Sequence, residues 1–175
     1  MSSSPDARAT PPLGVSILKQ EQPLAGLKDY ESAIDRVLAM TLGRVRIFDR
    51  KLSRSYNEAT RIELLRHLLL NSPASRVLIV VHDAENIRTE CPRLVTLQRQ
   101  FVHAIAIHRT QSLARGVYDP FCVIDGSHYA RRFHFNSGRG VLAVNDPERA
   151  SDLVQRFDEI WEASQPAVTG TVLGL

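Results

Sequence analysis

Val77-Leu78-Ile79-Val80-Val81 is an unbroken apolar run rich in β-branched side chains. A strand with one wet face alternates apolar and polar residues, so a run without alternation suits a central strand covered on both faces. Each face then needs a partner, and the flanking sequence supplies helices. Upstream, Ile62, Leu65 and Leu69, with Leu64 and Leu68 beside them, mark a long amphipathic helix. Asn71-Ser72-Pro73-Ala74 ends it. Downstream, Pro92 can open a helix at its first position, and Leu94, Leu97 and Phe101 give that helix a buried stripe.

Further out, Ile34, Val37, Leu38 and Thr41 predict a first helix over Tyr30 to Met40. Arg44 to Phe48 alternates as a strand does. Ala104 to Ile107 is another apolar strand, and Phe121 to Ile124, Tyr129 to Phe135 and Gly140 to Val144 read as three more. Asp146-Pro147 is a helix start, with Asp as cap and Pro in the first turn. The helix that follows buries Ala150, Leu153, Val154, Phe157, Ile160 and Trp161. Strands alternating with helices, then closely spaced strands, imply an α/β fold: a mixed β-sheet flanked by helices on both faces. Residues 1–22, rich in Ser, Pro and Ala, read as a disordered tail or linker. Residues 23–165 read as one domain and 166–175 as a C-terminal tail.

At 175 residues the chain can bury one real core. No run of about 18 apolar residues exists, so no membrane-spanning helix is expected. The N-terminus lacks a basic start followed by an apolar core, and with that a secretory signal. Cys91 and Cys122 form no Cys-x-x-Cys pair, so neither a disulfide scaffold nor a zinc site is expected, and a cytoplasmic location fits. No cofactor is expected. The net charge of +3 is mild, but its composition is not: Lys19, Lys28 and Lys51 are the only lysines, and every other base is Arg. Arginine recognises phosphate in a planar, two-pronged way, although a GC-rich genome produces the same bias.

Ligands of such sheets gather at the carboxyl ends of strands. Those ends carry His82-Asp83, His108-Arg109 and Asp125-Gly126. Arg131, Arg132, His134 and Arg139 crowd around Asn136. On a strand, Arg132, His134 and Asn136 would share one face, and Arg115 lies upstream. One reading is an anion pocket; the other is ion pairing with nearby Asp and Glu. His82-Asp83 with His134 suggests a hydrolytic site, or else a polar strand end. Asp125-Gly126 equally fits a tight turn.

The segment Tyr118 to Ser164 resembles the second part of a phospholipase D-type half-domain. That superfamily carries His-x-Lys, four residues, Asp, then six residues, Gly-Ser-x-x-Asn. Asp125 fits the Asp and Asn136 the Asn. Gly140 to Asp146 resembles the following strand, and Phe157 to Ser164 the closing helix. Upstream, Arg46 to Asp49, the Leu-rich helix and Val77 to Val81 extend the resemblance to about Tyr30. The family's nucleophilic His falls on Tyr118 and its Lys on Pro120; its Gly and Ser fall on Arg132 and Phe133. A phenol is mostly protonated near neutral pH, and proline carries no charge. No other His is followed at its second position by Lys or Arg. The resemblance implies a half-site that pairs with a second half, so a homodimer is expected. It also implies a phosphate-bearing ligand held by Arg132, His134, Asn136, Asp125, Tyr118, Arg115 and His82, with no catalytic residue. The alternative is a phosphodiesterase or nuclease with a rearranged site, using His82 or His134 as base. The segments Ala114 to Phe121, Arg131 to Phe135 and Arg156 to Glu162 also resemble an uncharacterised bacterial family sometimes fused to GNAT-type acetyltransferases. That likeness implies an interaction domain with an acetyltransferase partner, although no acetyl-CoA signature occurs in this chain.

Overall fold

The computed structural model describes residues 18–168. At the centre of its sheet lie three parallel strands: β2 (Arg44–Asp49), β3 (Arg76–Val81) and β4 (Ile105–Thr110). Each crossover carries helix: α2 (Ala59–Asn71) between β2 and β3, then α3 (Ile87–Glu90) and α4 (Pro92–Gln100) between β3 and β4. On the other side of β2 the sheet turns antiparallel, through β5 (Phe121–Ile124), β6 (His128–Arg132) and β7 (Gly140–Val144). The helix α1 (Leu27–Leu38) precedes β2, and α5 (Pro147–Glu162) follows β7.

The apolar run holds the position expected of it. Val77, Ile79 and Val81 pack with Val45, Ile47, Ile105 and Ile107 under α1, α2 and α4. Val80, one pleat over, packs with Phe48, Phe121, Val123 and the α5 residues Ala150, Leu153 and Phe157. The sheet is thus covered on both faces by helices, with a separate apolar cluster on each. Asp146 caps α5, its carboxylate accepting from Arg149 N at 3.4 Å. On the first face, Arg61 of α2 is buried. It donates to the Asp35 carboxylate at 2.7 Å, the Glu31 carbonyl at 2.8 Å and the Ser55 hydroxyl at 3.1 Å. Its guanidinium also lies 4.8 Å from the Tyr56 ring centre. Charge-assisted bonds to α1 thereby compensate the burial.

Two boundaries move. Residues 20–22, read as tail, belong to β1 (Gln20–Leu24), which pairs antiparallel with β7 at one edge. Residues 166–168, also read as tail, belong to β8 (Ser164–Val168), which pairs with β4 at the other edge. Neither segment alternates apolar and polar residues. Backbone pairing recruits them, with one buried side chain on each strand, Leu24 and Val168, and an edge strand tolerates Pro23 and Pro166. Residues 1–17 and 169–175 lie outside the described residues. The first helix begins three residues before its expected start, at Leu27.

Asp125 is where the turn reading prevails over the ligand reading. Asp125 and Gly126 both adopt left-handed backbone, φ 51° and 65°, and Ser127 N donates to Ile124 O at 3.0 Å. Ile124 pairs with His128, so the hairpin loop is the three residues Asp125 to Ser127, opened by the left-handed Asp-Gly pair. The Asp125 carboxylate accepts from the backbone N–H groups of Leu42, Gly43 and Arg44 at 2.7, 3.0 and 2.7 Å. It therefore pins the β5–β6 turn to the amino end of β2, roughly 20 Å (a six-residue strand) from the carboxyl ends where ligands gather. Replacing it leaves three donors without this acceptor. Asp125→Ala is expected to lower stability by about 1–3 kcal/mol in urea denaturation, without changing anion binding in calorimetry.

Candidate functional site

The carboxyl ends of β2, β3 and β4 present Asp49-Arg50, His82-Asp83 and Thr110 side by side. His82 is buried. Its Nε2 lies 2.7 Å from the Val117 carbonyl, and its Nδ1 lies 2.7 Å from the Thr110 hydroxyl. A carbonyl can only accept, so Nε2 carries the proton and Nδ1 accepts from Thr110. Burial lowers the His82 pKa, against the opposing pull of the Val117 bond. Phe48 and Phe135 meet the ring edge-on at 5.2 and 5.5 Å between centres. His82 is thus a neutral brace with both ring nitrogens engaged. It joins β3, β4 and the loop that brings in Arg115 and Tyr118.

Beside that brace lies a pocket of about 350 Å³, lined by Arg50, His82, Asp83, Arg115, Tyr118, His134, Phe135 and Asn136. Asp83 pairs with Arg50 at 3.6 Å and Arg115 at 3.4 Å, leaving one cationic charge in excess. Tyr118 is half exposed, and its ring lies nearly parallel to His134 at 5.8 Å. His134 Nδ1 accepts from Asn136 N at 3.1 Å. Neutral His134 can do so, whereas an imidazolium cannot.

The strand expected over Tyr129 to Phe135 ends at Arg132, because Phe135 N turns back to Tyr118 O at 2.8 Å. Arg132, His134 and Asn136 therefore do not share a strand face. Tyr118, Arg115, His82, His134 and Asn136 meet in one pocket by way of this turn instead. Arg132 points to the other side of Phe135. Its Nε donates to the Ser137 carbonyl at 2.8 Å, and a second guanidinium nitrogen donates to the Phe135 carbonyl. Arg131, on the opposite face of β6, pairs with the buried Asp119 at 2.9 Å, as Arg156 does. Asp119 is thus a structural counter-ion. His108 lies away from the pocket, stacked on Trp161 at 3.7 Å, with Nδ1 2.9 Å from the Ser164 hydroxyl.

A second cleft of about 520 Å³ adjoins the first and shares Arg50, Asp83 and Phe135 with it. Tyr30, Tyr56, Asp49 and Arg132 line it. The hydroxyls of Tyr30 and Tyr56 are buried and have no hydrogen-bond partner among the described residues. Burial pushes the Asp49 carboxyl up to about 7, although its bond from Arg50 N at 2.7 Å and the Arg132 and Arg61 guanidiniums pull the other way. Of these residues, sequence reasoning reaches Arg132 alone as a site candidate. Asp49-Arg50 was within reach, because it ends β2 as His82-Asp83 ends β3. Tyr30 and Tyr56 carry no such signal. No cluster of three or more potential metal ligands occurs among the described residues, and no helix there is long and apolar enough to cross a membrane.

The fold is shared with solved structures. Nuc from Salmonella typhimurium, a phospholipase D family member, superposes with a TM-score of 0.63 at 12% identity, over 85% of this chain and 98% of that one. NucT from Helicobacter pylori gives 0.53 at 10%, over 85% and 99%. Phosphatidylserine synthase from Haemophilus influenzae Rd KW20 gives 0.60 at 14%, over 87% of this chain and 40% of that one. At these identities the likeness is one of fold, and the fold is phospholipase D-like. No curated protein sequence matches the chain. A family model described as a domain of unknown function, DUF7931, matches residues 27–169.

Asp49 sets a pH dependence. Its carboxyl titrates near 3.8 when free and about 7 when folded, so the folded state holds more protons between those values. Its contribution to stability is then full below pH 3.8 and is lost as pH rises to about 7. Asp49→Asn is expected to gain on the wild type by about 1–3 kcal/mol between about pH 5 and about pH 8, read from thermal unfolding at both.

Proposed function

The chain belongs to the DUF7931 family, and we propose that it is a non-catalytic module that binds a phosphate-bearing ligand in the pocket beside His82. The observation that carries this reading is the company Asp83 keeps. Two arginines, Arg50 and Arg115, flank a single carboxylate in a concave site that Asn136 and His134 also line. A tetrahedral oxyanion can take over one or both guanidiniums from Asp83 and accept further bonds from the Asn136 amide. The phospholipase D-like fold of Nuc and of phosphatidylserine synthase agrees with a phosphoester ligand.

The case against turnover is chemical. Phosphoryl transfer through a histidine needs an imidazole with a free nitrogen lone pair. His82 has none to offer, since both its nitrogens are bonded. Tyr118 and Pro120 stand where the resemblance would place the nucleophile and its cationic partner. Purified protein is expected to leave bis(4-nitrophenyl) phosphate intact at the rate of buffer alone. Hydrolysis abolished by His134→Ala would establish the phosphodiesterase instead.

Inorganic phosphate is expected to bind in calorimetry, less tightly as salt is raised. Arg115→Ala is expected to weaken it about tenfold. Phosphate that gives no heat, or binds equally to Arg115→Ala, defeats the reading. We extend it to assembly: the chain covers 40% of phosphatidylserine synthase and 98% of Nuc, which supports a homodimer of half-sites. Light scattering behind size exclusion should then give twice the 19.6 kDa chain mass.

A further inference from the structure

The phosphate reading fills only the smaller of two joined spaces. The larger cleft has different chemistry. Asp49, Glu31 and the shared Asp83 put three carboxyls along it, and Asp49 is the one whose acidity burial weakens. Tyr30 and Tyr56, 1% and 2% exposed, also line it. Their hydroxyls are the unpartnered ones. The guanidinium of Arg132 borders the cleft but is already held by two carbonyls. The cations left to a ligand are Lys51 and the shared Arg50, both exposed.

These walls reject two kinds of occupant. A second phosphate would meet the Glu31 and Asp83 carboxylates, which repel it, while Arg50 is already paired with Asp83 and Arg132 is held by two carbonyls. An acyl chain would cover carboxyls and phenols with nothing able to hydrogen-bond them, and each polar group buried without a partner carries a desolvation cost. A neutral group bearing several hydroxyls satisfies every wall. It donates to the carboxylates and exchanges bonds with phenols that both give and accept. Both spaces are also within the size range of small-ligand pockets.

We infer that the larger cleft takes the hydroxyl-rich part of a phosphate monoester of the sugar-phosphate class, whose phosphate lies in the smaller pocket across Arg50. This rests on the phosphate-binding reading. It narrows the ligand to one with an anionic end and an uncharged, hydrogen-bonding end.

Three probes separate the two ideas by calorimetry: inorganic phosphate, ribose 5-phosphate and n-butyl phosphate. Ribose 5-phosphate is expected to bind about tenfold tighter than either of the others. The advantage should vanish in Asp49→Asn and in the double variant Tyr30→Phe/Tyr56→Phe, while inorganic phosphate affinity stays within about twofold of wild type. The double variant removes hydroxyls that have no partner, so it retains the fold and decides the matter if Asp49→Asn does not. Ribose 5-phosphate that binds no tighter than inorganic phosphate overturns the inference and leaves the phosphate reading intact. An advantage that survives in the double variant overturns it too, as does butyl phosphate binding tightest. If inorganic phosphate itself fails to bind, or ignores Arg115→Ala, the underlying reading has failed and this inference falls with it.

Discussion

Every element of this molecule answers to the burial of β3 on both faces. A parallel strand with no wet side must be sandwiched. Two apolar clusters do so, one holding Val77, Ile79 and Val81 and the other holding Val80 on the opposite side of the pleat. Parallel pairing in turn demands crossovers, and helices fill them. Because β2, β3 and β4 run the same way, their carboxyl ends meet at one rim. There Asp49-Arg50, His82-Asp83 and Thr110 become neighbours although long stretches of chain separate them. The site is a by-product of how the core is closed.

The rim is held by hydrogen bonds rather than by packing alone. His82 ties strand ends to the loop that carries Arg115 and Tyr118. Phe135, bonded through its backbone to Tyr118, divides the rim into two spaces. Arg50 and Asp83 face both spaces. Arg115 faces the small pocket alone, and Asp49, Glu31, Lys51 and Arg132 face the large one. The helix layer beneath supports the large cleft through Arg61, which stacks on Tyr56 while bonded to α1.

Hydrophobic pattern made the central strands and most helices legible, because burial leaves a period in the sequence. The run Phe121 to Ile124 and the run Gly140 to Val144 are strands with the expected limits. The edge strands left no such mark, since each buries a single side chain, Leu24 or Val168, and one buried residue makes no period. For the candidate site, strand-end position singled out His82, and residue type with the phospholipase D resemblance singled out Arg115, Tyr118, His134 and Asn136, which line one pocket with it. Alternation misplaced Arg132, because β6 stops there and the next residues turn. Spacing misplaced Asp125, whose carboxylate is consumed by backbone donors at the far end of β2. Tyr30 and Tyr56 were invisible for a simpler reason. A tyrosine in a helical stripe or a short turn reads as core, and only the missing partners of their hydroxyls set them apart.

The two outermost strands each contain a proline, Pro23 in β1 and Pro166 in β8. A proline deletes a donor from a ladder only five residues long. Among the described residues the sheet therefore ends on both sides in a strand short of one donor, which disfavours the edge-to-edge stacking that leads to aggregates. The same missing donors disfavour a second molecule that would extend this sheet at either edge.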